Sequence, residues 1–477
     1  MYIYRGEEIK EADAAAERDG MDTFTLMENA GRSLFLAIQK EVPVHKKILI
    51  VAGRGNNGGD GIVLARYLKN AGYPADLTFP LGEAASEVAR RHFHYYKQCG
   101  YSTVEPGSGY DVVIDGLLGV GTRHPLPEDI TSIIQWINEQ AAYKIAIDLP
   151  TGVLADKGDV KEAVKADWTL SLHGLKPSAF LEGSTEYYGK RESLDIGLAH
   201  HSKCRIWTKD DVKASFLKRE ASSHKGTFGT GLLIAGSDEM PGSSVLSSLG
   251  AMKSGIGKLL VATTPYVAAI IAGRVPECTF IHDGLKKIAY GQIPYSIKAI
   301  AIGPGLDDTK KVESALVHLF KTENPLVLDA GALDKRSYPE RKGMIVVTPH
   351  PGEFSRMTGL PVEEIQKNRI QTAQEYAKEH QVTVVLKGRY TVIAFPDGET
   401  LLNNTGNAGL AKGGSGDTLT GILLAFLSSY SDHKAAVANA VYLHGACADA
   451  WIKGNSMASM VATDISNQLE FVLKEFE

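Results

Sequence analysis

Only four cysteines occur among 477 residues, Cys99, Cys204, Cys278 and Cys447, and none forms a CxxC pair. Their scarcity and spacing exclude a disulfide framework and a cysteine-ligated zinc site, and predict reduced thiols in a cytoplasmic protein. The chain also lacks an apolar run long enough to cross a bilayer. Its most apolar helical segment, TLTGILLAFL from Thr418 to Leu427, is too short and reads as a buried core helix. There is no excess of positive charge, the net value being −5, so neither nucleic acid nor an anionic membrane is expected as a partner. The opening MYIYRGEEIKEADAAAERDG carries charges within ten residues and has no apolar centre, so it is not expected to be a secretory signal. Heptads, low-complexity tracts and short solenoid repeats are likewise missing.

What is abundant is glycine, with 49 residues, in a chain that is 44% hydrophobic and 22% charged. This length exceeds what one core usually serves, and two domains are expected. From Lys46 to Asp148, short buried strands (KKILIVAG, ADLTFPLG, YDVVIDGLLG, YKIAIDLPTG) alternate with helical stretches such as Glu83 to Gln98. The pattern predicts a doubly wound, mostly parallel α/β sheet. A helix precedes it in DTFTLMENAGRSLFLAIQK, and WTLSLHGL follows as a further strand. Strand alternation stops in the charged stretch around Val212, which places the expected domains at 1–211 and 212–477. The second half alternates again through TGLLIAGS, GKLLVATT, IKAIAIGPGL, PLVLDAGAL, GMIVVTPHPGEF and VTVVLKGRYTVIAF, then ends in helix beyond Asp417.

Two glycine-rich loops draw attention. The first, VAGRGNNGGDG, holds a literal GxGxxG at Gly53, Gly55 and Gly58. A dinucleotide-binding turn would need an acid at the carboxyl end of the next strand, yet Asp76 stands at that strand's start. Asp60 also places negative charge where a pyrophosphate would dock. The plainer reading makes Asp60 a helix N-cap. Two further strands end in Asp115 and Asp148, each before a glycine-containing turn, and carboxyl ends of strands line the crevice of an open α/β sheet. These acids together predict a site.

The strings LMENAGRS, GRGNNGGDG, VIDGLLGVGT and IDLPTG resemble the NAD(P)H-hydrate epimerase family, over roughly Leu26 to Pro177. The resemblance implies substrate contacts from Asn56, Asn57, Gly58, Gly59 and Asp60. It implies a second substrate loop of Gly119, Val120, Gly121, Thr122, Arg123, His124 and Pro125, with Asp148 binding substrate and transferring the proton. By the same resemblance Asn57, Asp115 and Thr151 hold a potassium ion. Thr151 stands where the family has serine, and retains a hydroxyl and a carbonyl suited to a hard cation.

The second loop, AKGGSGD, is not a Walker A sequence, but Gly413, Gly414 and Gly416 can turn N–H groups toward phosphate at a helix start. Asp417 there reads either as a helix N-cap or as a general base toward an attacking hydroxyl. With HKGTFGTGLLIAGS, IGPGL, LDAGAL, TPHPGEF and VVLKGRYT, this loop resembles the ADP/ATP-dependent NAD(P)H-hydrate dehydratase family, from about His224 to Asp464. The resemblance implies a ribokinase-like second domain and a bifunctional repair enzyme acting on NADHX and NADPHX. Lys387, Gly388, Arg389, Tyr390, Thr391 and Gly416 are then expected to bind ADP or ATP with magnesium. Ala251, Gly305, His350 and Asp417 are expected to face the hydrate, with Asp417 as base. A homo-oligomer is also expected. Gly331 in LDAGAL and Ala235 in IAGS depart from the family's usual Asp and Gly. A ribokinase-like small-molecule kinase joined to a nucleotide-binding regulatory domain is the alternative.

Overall fold

The computed structural model describes residues 1–477. Contacts divide the chain into two units, Met1–Arg205 with Gln366–Asn368, and Ile206–Ile365 with Arg369–Glu477. The first division falls six residues before the expected boundary, because Trp207 and Val212 pack in the core of the second unit.

In the first unit β1 (Tyr2–Ile3) leads into helices α1 (Gly6–Arg18) and α2 (Thr23–Glu41). Strands β2 (Ile48–Ala52) and β3 (Ala75–Thr78) flank α3 (Asn56–Asn70), and α4 (Glu87–Gln98) precedes β4 (Val112–Gly116). After α5 (Glu128–Glu139) come β5 (Tyr143–Ile147), β6 (Trp168–Leu172), β7 (Lys190–Leu194) and β8 (Cys204–Ile206), the last pairing with β1. The main sheet has the order β3-β2-β4-β5-β6-β7, parallel throughout. This is a doubly wound, Rossmann-like sheet. Its strand order reverses between β2 and β4, where the carboxyl ends open a crevice. Both faces are covered, so β2 and β4 are buried at every residue and read as continuous apolar runs. Helix α4 begins four residues later than expected because Ser86 caps it, its hydroxyl accepting from Ala89 N–H.

The second unit opens with α6 (Lys209–Ser215), β9 (Thr230–Ile234), α7 (Pro241–Lys253), β10 (Lys258–Thr263), α8 (Pro265–Ala272) and β11 (Thr279–His282). It continues with α9 (Gly284–Ala289), β12 (Ala299–Ile302), α10 (Thr309–Leu319), β13 (Leu326–Leu328), β14 (Ile345–Val347) and α11 (Pro351–Thr358). The remainder comprises α12 (Val362–Lys367), α13 (Arg369–His380), β15 (Thr383–Leu386), β16 (Thr391–Ala394), β17 (Thr400–Asn403), α14 (Ser415–Ser429), α15 (His433–Trp451) and α16 (Ala462–Leu473). Strands β14-β13-β12-β9-β10-β11 run parallel, and β15 joins β14 in the same sense. Strands β16 and β17 add antiparallel. The expected single segment VTVVLKGRYTVIAF is therefore a hairpin, with Lys387 to Tyr390 as its turn. Helix α14 packs on α7 so closely that Gly421 leaves no room for a side chain, a Cβ there falling 2.0 Å from the Ser247 carbonyl oxygen. No helix is long and apolar enough to cross a membrane.

Candidate active sites

The glycines of the first loop serve close packing. A Cβ on Gly53 would lie 1.9 Å from the Leu117 carbonyl oxygen, and one on Gly58 would lie 1.9 Å from that of Gly53, whereas Gly55 faces open space. The chain thereby turns from β2 into α3 against the end of β4. Gly55 is the N-cap of α3, so Asp60 does not cap it and lies instead in the second turn, buried. Asp76 accepts from the Tyr110 hydroxyl at 3.0 Å and pairs with Lys69 at 3.7 Å, which occupies the acid that a ribose would require.

A cavity of about 720 Å³ opens above this switch point. Asn56, Asn57, Asp60 and Asp148 line it, as do Gly119 through Thr122. Gly58 and Gly59 pack inward on Gly53 and Met27. Arg123, His124 and Pro125 lie outside the lining, His124 being tied by Nε2 to the Gly152 carbonyl at 2.9 Å.

Asp148 follows β5 in the left-handed region, φ 69°, a conformation that aspartate tolerates and that is enriched at functional sites. Its backbone is pinned by Asp148 N–H to Leu170 O at 2.8 Å and by the Ser171 hydroxyl to Asp148 O at 2.7 Å. One carboxylate oxygen, Oδ1, accepts from Leu172 N–H and from Lys176 Nζ, a fully buried lysine that also donates to the Gly174 carbonyl at 2.9 Å. Asp13 of α1 faces the same cavity. Burial, then the charge of Asp148, pushes the Asp13 carboxyl up to about 6, with Lys176 opposing. Burial and the charges of Asp148 and Asp13 push Asp60 well above the usual carboxylate range. Neither Lys176 nor Asp13 was singled out in the sequence: Lys176 sits in the undistinguished string HGLKP, and Asp13 is one acid among several on a charged helix.

Asp115, at the end of β4, is 1% exposed. It accepts from Thr151 N–H at 2.8 Å, Thr151 Oγ1 at 2.7 Å and Leu117 N–H at 3.2 Å, and no basic side chain pairs with it. Burial pushes its carboxyl up to about 6 against these donors. Asn57 Nδ2 donates to the Leu118 carbonyl at 3.0 Å, which leaves Oδ1 as a free acceptor. A buried carboxylate without a counter-charge, beside amide and carbonyl oxygens, is a donor set suited to a hard monovalent cation.

In the second unit Gly414, at φ 91°, is the N-cap of α14, so Asp417 does not cap the helix and stands in its first turn. The first N–H groups of α14 have no intrahelical acceptor and point out of the helix start, which suits phosphate oxygens. Burial and the charge of Asp329 push the Asp417 carboxyl up to about 6, while a Ser243 hydrogen bond and the Lys387 charge pull the other way. Lys387 Nζ lies 3.1 Å from Asp329 Oδ1 and 3.8 Å from Glu353 Oε2. Burial works against its charge, but Asp329, Glu353 and Asp417 outweigh this and raise its proton affinity. Asp329 is also held by the hydroxyls of Thr348 at 2.8 Å and Thr420 at 2.7 Å.

Gly416 belongs to this cluster, since a Cβ there would stand 3.2 Å from Lys387 Nζ. Gly305, at φ 64°, approaches Ser243, the residue that bonds Asp417. His350 caps α11, its Nδ1 accepting from Gly352 N–H and Glu353 N–H, and its Nε2 is 3.5 Å from Glu353 Oε1. In the hairpin turn Gly388 and Arg389 are exposed, Thr391 Oγ1 donates to the Gly388 carbonyl, and the Arg389 guanidinium lies 5.3 Å from the Tyr390 ring. Ala251 is fully buried in the core where α7 meets α14, so its side chain has no open face toward a ligand. Gly331 is explained by space: a Cβ would meet the Leu306 carbonyl oxygen at 2.1 Å. Asp329, Glu353, Ser243 and Thr420 had no assigned role in the sequence, because only folding brings Asp329 and Glu353 to Lys387, Ser243 to Asp417 and Thr420 to Asp329.

Residues 231–470 match the family described as NAD(P)H-hydrate dehydratase, and residues 23–178 match the YjeF-related protein N-terminus. The ADP-dependent (S)-NAD(P)H-hydrate dehydratase of Bacillus subtilis is 53% identical over 57% of this chain and 99% of its own. The bifunctional NAD(P)H-hydrate repair enzyme of Moorella thermoacetica is 32% identical over 100% of this chain and 97% of its own. Among solved structures, the ADP/ATP-dependent NAD(P)H-hydrate dehydratase of Bacillus subtilis, co-crystallised with ATP and Mg2+, aligns with TM-score 0.57 at 52% identity. That alignment covers 57% of this chain and 99% of the other. A ribokinase-like superfamily protein of Enterococcus faecalis aligns with TM-score 0.52 at 28% identity, over 58% of this chain and 98% of its own. The second unit is accordingly ribokinase-like, and the whole chain belongs to the family of bifunctional NAD(P)H-hydrate repair enzymes.

Proposed function

We propose that the first unit interconverts the R and S epimers of NADHX and NADPHX, and that the second dehydrates the S form with ADP or ATP as phosphoryl donor. One observation carries this reading: in a chain matched end to end by bifunctional relatives, each unit retains an acid under the influence of a lysine, the buried contact pair Asp148 and Lys176 in the first and the partly buried Asp417, within the field of Lys387, in the second. Each unit then acts as a domain with its own chemistry.

The hydrate bears a hydroxyl at C6 of the reduced nicotinamide ring, and hydroxide leaves poorly. Asp417 takes the hydroxyl proton as the oxygen attacks the terminal phosphorus, and the bond to the departing nucleotide breaks. The N1 lone pair then expels phosphate from C6, and loss of a C5 proton restores NAD(P)H. A carboxyl near 6 is ionised at neutral pH yet more basic than an ordinary aspartate, which suits this step. Lys387 and the α14 N–H groups stabilise phosphate charge. Magnesium would travel with the nucleotide, since no three His, Cys, Asp or Glu side chains form a metal-holding group. In the first unit Asn57, Asp115 and Thr151 would hold potassium, which supplies the positive charge that Asp115 lacks.

The test is to give the full chain hydrated NADH with ADP or ATP. Reduced-nicotinamide absorbance should return as both epimers disappear. A phosphorylated product that accumulates without that absorbance would replace the dehydratase with a kinase.

A further inference from the structure

Inverting C6 requires a bond there to break and re-form on the opposite face, so one group must deliver a proton and another must accept one. Asp148, clamped by Lys176, fits the accepting role. A donor is needed.

Helix α1 brings a further carboxyl, Asp13, to the cavity that Asp60 and Asp148 already line. Its entry is fixed by Tyr4 N–H to Leu175 O at 2.8 Å, Leu175 N–H to Tyr2 O at 3.0 Å, and Gly6 N–H to Asp156 Oδ1 at 2.9 Å. Ile9 and Asp13, one turn apart on one face, both line the cavity. The Asp13 carboxyl is half-buried and takes no hydrogen bond or ion pair from the protein.

We infer that Asp13 is a second proton-transfer residue of the first site, paired with Asp148; this rests on the epimerase reading of that unit. The Asp13 carboxylic acid protonates the C6 hydroxyl as the C6–O bond breaks. The bonding pair leaves with oxygen as water, and the N1 lone pair closes a C6=N1 double bond. Water then adds to the opposite face of C6, the C6=N1 pair returns to N1, and the surplus proton passes to the Asp148 carboxylate. Exchange with solvent returns the proton to Asp13. The groups facing Asp13 are Asp60 from α3, Asp148 after β5, Lys176 and His173 after β6, and Lys10 on α1. Burial and the Asp148 charge hold Asp13 near 6, so the donating form is lost as pH rises above that value.

The experiment supplies the R epimer of NADHX with excess ADP to full-length wild type, Asp13→Asn and Asp13→Glu, with S-epimer dehydration measured separately. Asp13→Asn should lower the epimerisation kcat by roughly a hundred- to ten-thousandfold. KM for the hydrate and S dehydration should stay at wild-type values. Asp13→Glu should restore part of the rate, and the decline of kcat/KM above pH ~6 should vanish in Asp13→Asn. Wild-type speed in Asp13→Asn, or a slow variant that keeps the wild-type pH profile, overturns the assignment. Failure of wild type to epimerise would instead overturn the epimerase reading.

Discussion

Each unit sets a lysine among carboxylates, fully buried at Lys176 and partly buried at Lys387, but the two lysines are placed differently. In the first unit Lys176 touches Asp148 itself, and the neighbours Asp13 and Asp60 take the raised proton affinity. In the second, Lys387 pairs with Asp329 and Glu353, and the acid proposed to react, Asp417, feels the lysine mainly through its field. The same pair of residue types thus anchors one acid by direct contact and leaves the other, Asp417, uncontacted by its lysine and with a raised affinity for the proton it is to remove. Contact partner, more than composition, decides which acid is tuned.

The largest effect expected from this contrast is on the second site. Asp417→Asn keeps the side chain's size but removes the base, so S-epimer dehydration should fall roughly a hundred- to ten-thousandfold while epimerisation persists. An absorbance assay on purified S epimer checks this; undiminished dehydration would make Asp417 a structural acid.

Next is Lys176→Met, which leaves Asp148 buried without its counter-charge. Breaking one partner of a buried pair typically costs about 3–5 kcal/mol, and denaturant unfolding of the first unit should show a loss of that order. A variant as stable as wild type would mean that solvent compensates Asp148.

The smallest effect is graded. Because the carboxylate of Asp417 is the active form and its affinity sits near 6, dehydration should be level above pH ~6 and fall about tenfold per unit below it. Asp13 acting as a proton donor gives the first site the opposite slope, so parallel pH profiles for the two activities would erase the contrast.

Much of the architecture was legible in the sequence because buried parallel strands are uniformly apolar and end in glycine turns, as at Ile48–Ala52 and Val112–Gly116. The hairpin at Lys387–Tyr390 was not, since both its strands are apolar and its turn lacks a distinctive two-residue signal. Asp60 and Asp417 invited an N-cap reading because aspartate favours caps, but Gly55 and Gly414 start the helices earlier and leave both acids inside. Asp13 and Lys176 were hidden for a different reason. Their meaning comes from contacts across the folded chain, 135 and 28 positions from Asp148, and no local pattern encodes such distances.

The most direct test of a separate acid for each step is Asp148→Asn in the full-length chain, given a mixture of both epimers with excess nucleotide and followed by chromatography that resolves them. The S hydrate should disappear at the wild-type rate and the reaction then stall, leaving R hydrate to convert only spontaneously. Clearance of both epimers as fast as wild type would contradict it.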